Sequence, residues 1–202
     1  MRVIAGSFRS RTLQAPPGLA TRPTSDRLRE TLFNVLAPRF TGMTSGAQGL
    51  TFLDLYAGSG AVGIEAVSRG AEKVEFVERA PAALKVLRAN LEGLGLTAGF
   101  RIHASPVAAT LRRLGALDRE LEGFGIVFLD PPYDAAQEYA VTLGLLGGAA
   151  AGLLMPEALV IAEHRRKERL EDRYGSLVRT RLLEQGDAAL SFYGINSGVA
   201  SE

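Results

Sequence analysis

Between Leu50 and His164 the chain alternates between two kinds of segment, and this alternation limits its fold more than any other feature. Short apolar runs recur at 50–56 (LTFLDLY), 73–78 (KVEFVE), 100–104 (FRIHA), 125–130 (GIVFLD) and 158–164 (ALVIAEH). Between them lie stretches with helical spacing at 61–70, 80–95, 106–117 and 135–154. In the second of these, Leu84, Leu87, Leu91 and Leu94 fall on one face. Strand–helix repeats of this kind predict a parallel sheet covered on both sides, and right-handed crossovers make it doubly wound. The end, SLVRTRLLEQGDAALSFYGI, reads as two strands turning at Gly186-Asp187. The expectation is a seven-stranded, mostly parallel, Rossmann-like α/β domain over 50–195.

Ahead of it, MRVIAGSFRSRTLQAPPG reads as a β-hairpin around a Gly/Ser turn. A helix follows, opened by Pro23 with Ser25 or Asp26 and carrying Leu28, Leu32, Val35 and Leu36 toward Pro38. Residues 1–40 are read as an appended extension. They hold seven arginines (Arg2, Arg9, Arg11, Arg22, Arg27, Arg29, Arg39) against Asp26 and Glu30, in a chain whose net charge is only +1. Arginine suits bidentate phosphate contacts and base stacking. A second basic run, HRRKER, spans 164–169.

The chain has no cysteine, which removes disulfides, thiolate metal sites and cysteine nucleophiles. The two histidines, His103 and His164, are far apart in sequence, so no metal is expected. No apolar run reaches membrane-spanning length and no signal pattern opens the chain, so a cytoplasmic location is expected.

In such sheets ligands bind at the carboxyl ends of the strands. The first strand runs into DLYAGSGAVG, where Gly58, Gly60 and Gly63 fit G-x-G-x-x-G, and Glu78 ends the second strand 20 residues after Gly58. A dinucleotide would fit that pattern alone. Asp54, four residues before Gly58, argues otherwise, because a carboxylate repels pyrophosphate but favours the ammonium and sulfonium of S-adenosylmethionine. The expected cofactor site is Asp54, the loop Tyr56, Ala57, Gly58, Ser59 and Gly60, and Glu78 with Arg79. Ser105 stands where a third strand would offer an adenine contact, although Pro106 beside it lacks an N–H.

The fourth strand ends in DPPY, Asp130 to Tyr133, expected at the same sheet edge. A purine amino group is a poor nucleophile because its lone pair is delocalised into the ring. Two acceptors that take its two hydrogens would turn the lone pair toward an electrophile. The Asp130 carboxylate and the Pro131 carbonyl suit those roles, with Pro132 stiffening the turn and Tyr133 stacking on the base.

RVIAGSFRSRTL, RPTSDRLRETLFNVL, LDLYAGSGAVGIEAVSRGA and DPPY together resemble the RsmD family of bacterial methyltransferases, over residues 2 to about 193. The resemblance implies methylation of the N2 amino group of one guanine in 16S ribosomal RNA, within the 30S subunit or an assembly intermediate. It implies that Arg22, Pro23, Thr24 and Arg27 sit at the mouth of the site and contact RNA or help to close over the cofactor, and the charge of the arm adds Arg2, Arg9 and Arg11 as expected RNA contacts. A monomer without membrane contact is expected. DNA adenine-N6 methylation is the alternative, opposed by the lack of a target-recognition segment. Deleting residues 1–20 is expected to abolish RNA methylation while the 50–193 core still binds cofactor.

Overall fold

A computed structural model of the chain describes residues 1–15, 23–42, 49–116, 123–132 and 135–196. They form two compact units, Met1–Pro106 and Val107–Glu202.

The first unit holds helix α1 (Pro23–Gly42), strand β1 (Thr51–Leu55), helix α2 (Ala61–Ser68), strand β2 (Lys73–Glu78), helix α3 (Pro81–Gly93) and strand β3 (Phe100–Ala104). Its strands lie in the order β3-β2-β1, all parallel. Every residue of β1 is buried although successive side chains point to opposite faces, so both faces are covered. The register pairs Asp54 with Phe76 and Glu78 with Ala104, which brings the three strands to a common carboxyl edge. Pro81 starts α3, where its fixed φ suits a first turn and its missing N–H costs nothing, and Leu84, Leu87 and Leu91 are buried as their spacing predicts. On α1 the buried apolar set is Leu28, Leu32, Phe33 and Leu36, with Val35 only half-buried, and Arg29 is buried beside them. Phe33 lies against Phe52 of β1 at 6.4 Å between ring centroids.

The expected amino-terminal hairpin is reduced to one antiparallel bridge, Arg2 to Thr12. Three backbone bonds frame it, from Val3 N to Arg11 O, Ser10 N to Val3 O and Leu13 N to Met1 O. Side chains of the helices supply what the missing ladder does not. Ile4 and Ala5 donate their N–H groups to the Glu65 carboxylate of α2 at 2.7 and 3.0 Å. Ser7 N–H goes to the Ser68 carbonyl and Phe8 N–H to the Ser68 hydroxyl. Val3 and Leu13 are buried.

The second unit holds α4 (Val107–Gly115), β4 (Phe124–Leu129), α5 (Gln137–Leu146), a 3-10 turn (Ala151–Leu153), β5 (Leu154–Arg165), β6 (Arg173–Tyr174), β7 (Leu177–Gln185) and β8 (Ala188–Ile195). Its strand order is β4-β5-β8-β7-β6, with β4 parallel to β5 and the remaining pairs antiparallel. The β7–β8 hairpin turns at Gly186, whose φ of +61° suits glycine, as expected. Among the described residues there are therefore eight strands where seven were expected. The extra one, β6, is two residues long, too short for an alternating pattern to show. It is held by pairing with Leu177 and Val178 and by the edge contact of Tyr174 on Tyr193. His164 is a core residue here. Its two ring nitrogens meet the Arg165 carbonyl and the Ser191 hydroxyl, both at 2.9 Å, and burial lowers its pKa.

Candidate active site

In the first unit, β1 delivers Asp54 to the carboxyl edge as a residue only 2% exposed. Its Oδ2 accepts the N–H of Gly63 at 2.8 Å, a bond inside the first turn of α2. That carboxylate therefore fixes the start of the helix as well as setting the sign of charge under the loop. The glycines between have separate reasons. Tyr56, Gly58 and Gly60 have φ of +61°, +56° and +80°. A left-handed Tyr56 costs about 1–2 kcal/mol, a strain that backbone at functional sites often stores. At Gly58 a side chain would meet nothing closer than 4.0 Å, so the requirement is conformational, and the space is open for a ligand. At Gly63 an added Cβ would lie 2.3 Å from the Phe76 ring, so this glycine allows α2 to sit close on β2.

Glu78 ends β2 half-buried and gathers three backbone donors. Its Oε2 accepts Gly58 N–H at 2.8 Å, and its Oε1 accepts Arg79 N–H and Ala80 N–H, both at 2.7 Å. One side chain thus ties the glycine loop to the start of α3. A carboxylate offers about four lone-pair positions. Three are used here, which leaves one on Oε2 for a hydroxyl donor. Arg79 is exposed, and Ser105 follows β3 half-buried.

An interaction that sequence reasoning did not single out meets the same loop. Asn90 of α3, 4% exposed, donates from Nδ2 to the Ser59 carbonyl at 2.9 Å and to the Gln14 carbonyl at 3.1 Å. Its Oδ1 accepts Gln14 N–H at 2.8 Å. The signal lay in the helical spacing: position 90 falls three residues after Leu87 and four before Leu94, on the apolar face, where an amide needs a reason. Glu65, wholly buried in an otherwise apolar helix, carries the same kind of signal.

The arginines assigned to RNA are distributed as follows. Arg2, Arg9 and Arg11 are exposed, with Arg11 also donating from Nη2 to the Gly93 carbonyl at 2.8 Å. Arg27 is exposed on α1, and Thr24 lies in the first turn of that helix. Arg22 lies outside the described residues.

In the second unit, Asp130 directly follows the fully buried strand β4. Burial of its carboxyl pushes the pKa from the ordinary 3.8 up to about 7. Pro131 is buried and Pro132 exposed. The Pro132 carbonyl accepts Ala135 N–H at 2.8 Å, which closes the turn. Asp130 is not the cap of the following helix, since α5 starts after Ala136 with no side-chain cap. Tyr133 lies outside the described residues.

Residues 1–194 match the model of a protein family described as conserved hypothetical protein 95. The chain is 38% identical over 193 residues to YlbH of Bacillus subtilis, provisionally named an rRNA methyltransferase, covering 96% of this chain and 98% of that one. It is 36% identical over 163 residues to the ribosomal RNA small subunit methyltransferase D of Escherichia coli, covering 81% of this chain and 74% of the relative. Among solved structures, a provisionally named methyltransferase of Escherichia coli, yhhF, superimposes with a TM-score of 0.74 at 32% identity over 96% of this chain and 97% of its own. Its α/β architecture is the one expected from the strand–helix alternation.

Proposed function

The chain belongs to the RsmD family of rRNA methyltransferases, and from that membership we propose that it methylates the exocyclic N2 amino group of one guanine in small-subunit ribosomal RNA, with S-adenosylmethionine as cofactor. The residues of the glycine loop fit that cofactor. The loop carries carboxylates at Asp54 and Glu78 and open space at Gly58, a combination that favours a cationic ligand over a pyrophosphate. Glu78 would hold ribose hydroxyls, the Tyr56–Gly60 turn the amino acid portion, and Ser105 the adenine. When bound, the cofactor supplies a sulfonium-activated methyl group.

The observation that carries amino-group transfer is the carboxyl of Asp130, desolvated to a pKa of about 7 beside a buried proline. In its ionised form it accepts one N2 hydrogen, and the Pro131 carbonyl accepts the other. The nitrogen lone pair is then free of the ring and directed outward. As the new C–N bond forms, positive charge develops on N2, and the nearby carboxylate stabilises it. A base with a pKa near 7 is also suited to take the proton that N2 must lose. Pro132, its carbonyl held in the turn, fixes the direction of the preceding peptide. Tyr133 supplies the stacking surface. Arg2, Arg9, Arg11 and Arg27, with Arg22 and Thr24, hold phosphates around a splayed guanine, which gives salt-sensitive binding.

The test is radiolabelled methyl transfer to purified 30S particles, free 16S rRNA and adenine-containing DNA side by side, with the modified nucleoside identified by mass. N2-methylguanosine from the ribosomal substrates is expected. Label on DNA alone, as N6-methyladenine, would replace this reading with the DNA alternative.

A further inference from the structure

We infer that Asn90 is a positioning residue that couples the amino-terminal arm to the glycine loop, so that RNA held on the arm tightens the grip on the cofactor. The inference deepens the rRNA methyltransferase reading and rests on it.

An asparagine side chain offers two N–H donors and one carbonyl acceptor. Both kinds of group are in use at Asn90. Toward the arm, it pairs with Gln14 as a neighbouring strand would, accepting its N–H at 2.8 Å and donating to its carbonyl at 3.1 Å. Toward the loop, it donates to the Ser59 carbonyl at 2.9 Å. The orientation of the amide is fixed by its partners: one N–H needs an acceptor and two carbonyls need donors, and the flipped amide satisfies none of them. At 4% exposure water does not compete freely for these bonds.

What the amide joins gives the bonds their meaning. Ser59 stands between Gly58, whose N–H is held by Glu78, and Gly60, whose φ of +80° starts α2. A shift of the Ser59 carbonyl rotates the Ser59–Gly60 peptide, which leads into the first turn of α2. Gln14 is exposed and stands three residues after Arg11. Arg11 itself reaches the Gly93 carbonyl, one turn along α3 from Asn90. A phosphate drawn to Arg11 therefore acts on an arm that is tied to itself at Thr12 and Leu13 and joined to the loop through the Asn90 side chain. An asparagine that only satisfied buried backbone groups would affect stability, but it would not make the two ligands aware of each other. Coupling between sites is reciprocal and is commonly about 5- to 150-fold in affinity.

The experiment uses the full chain and measures the dissociation constant of radiolabelled S-adenosylhomocysteine, which cannot react, with and without saturating 30S particles. In the wild type, the particles are expected to tighten it at least about 5-fold. In Asn90→Ala the ratio is expected to fall to about one, as the bonds that carry the coupling are gone. Gln14→Pro removes the arm's N–H from an exposed residue while leaving the Asn90–Ser59 bond in place, and it should lower the ratio as well. It keeps the test decisive if the alanine variant does not fold. A wild-type ratio of one, or a wild-type ratio preserved in whichever variants remain folded by circular dichroism, overturns the inference. A wild type that binds neither S-adenosylhomocysteine nor ribosomal particles would instead overturn the methyltransferase reading, and this inference with it.

Discussion

Glu78 and Asp130 each stand at the carboxyl end of a strand with a buried core, yet their surroundings differ sharply. Three backbone N–H groups converge on Glu78. Asp130 is governed by desolvation, which pushes it up to about 7. The first carboxylate helps to build its loop, and removing it leaves amides without acceptors. The second is held against its ordinary preference for ionisation, a cost of the kind that clusters at reactive sites. The contrast fits the proposal that Glu78 shapes a binding site and Asp130 takes part in chemistry.

The sharpest break in that comparison is Asp130→Ala. Single-turnover methyl transfer should fall by about 100- to 10,000-fold, the range of a general acid–base group, while S-adenosylhomocysteine affinity stays within about threefold. Equal loss of affinity and rate would place Asp130 in the binding machinery. Glu78→Ala should do the reverse. It should weaken the cofactor by about 1.5–3 kcal/mol, the worth of hydrogen bonds to a charged group, and also lower the unfolding midpoint in urea. Calorimetry and a denaturation curve on the same preparation measure both.

Smaller effects sharpen the picture. Gly63→Ala would set a Cβ 2.3 Å from the Phe76 ring and 3.0 Å from Asp54 Oδ2, so α2 must lift from β2. Overpacking of this kind costs about 1–3 kcal/mol, and urea unfolding should show it. A neutral change would mean that the loop has more slack than its contacts imply. The last effect is one of pH. Because the folded-state pKa of Asp130 is raised from 3.8 to about 7, the folded state holds this proton more tightly than the unfolded one. The destabilisation is absent below about 3.8, grows as pH rises toward 7 and is complete above it. Asp130→Asn should therefore melt at the same temperature as the wild type near pH 4 and higher than it at pH 8. Parallel melting curves across that range would contradict the raised pKa.

The first region was readable in sequence because its requirements are local. Glycines forced to positive φ and an acid at a strand end leave their mark in a few adjacent letters, and Asp54, Gly58, Gly60 and Glu78 do meet at one edge. The bond from Asp54 to Gly63 was not readable, since a charge argument about a ligand does not say that a helix start shares the carboxylate. Strand β6 was missed because two residues are too few to show an alternating pattern. The arm's anchoring was missed because it depends on side chains far along the chain. The arm reads as a self-sufficient hairpin, but one bridge and borrowed side chains hold it. These contacts bear directly on the expectation that the 50–193 core still binds cofactor once residues 1–20 are deleted. Their loss would uncover the buried Glu65 carboxylate and strip Asn90 of two bonds.

That borrowed anchoring has a consequence in time. Apart from Arg29, which donates to the Arg2 carbonyl, the arm's side-chain and α3 partners lie 60 to 82 residues further along the chain. At a synthesis rate of about 5–20 residues per second, the arm waits on the order of 4–16 s after it is made before Gly93 exists to receive Arg11. During that interval it is an arginine-rich segment without its contacts to α2 and α3, close to a ribosome whose surface is itself phosphate. Newly made chains should therefore be held near ribosomal RNA until α3 is complete, and a pause in translation placed before residue 90 should lengthen that stay.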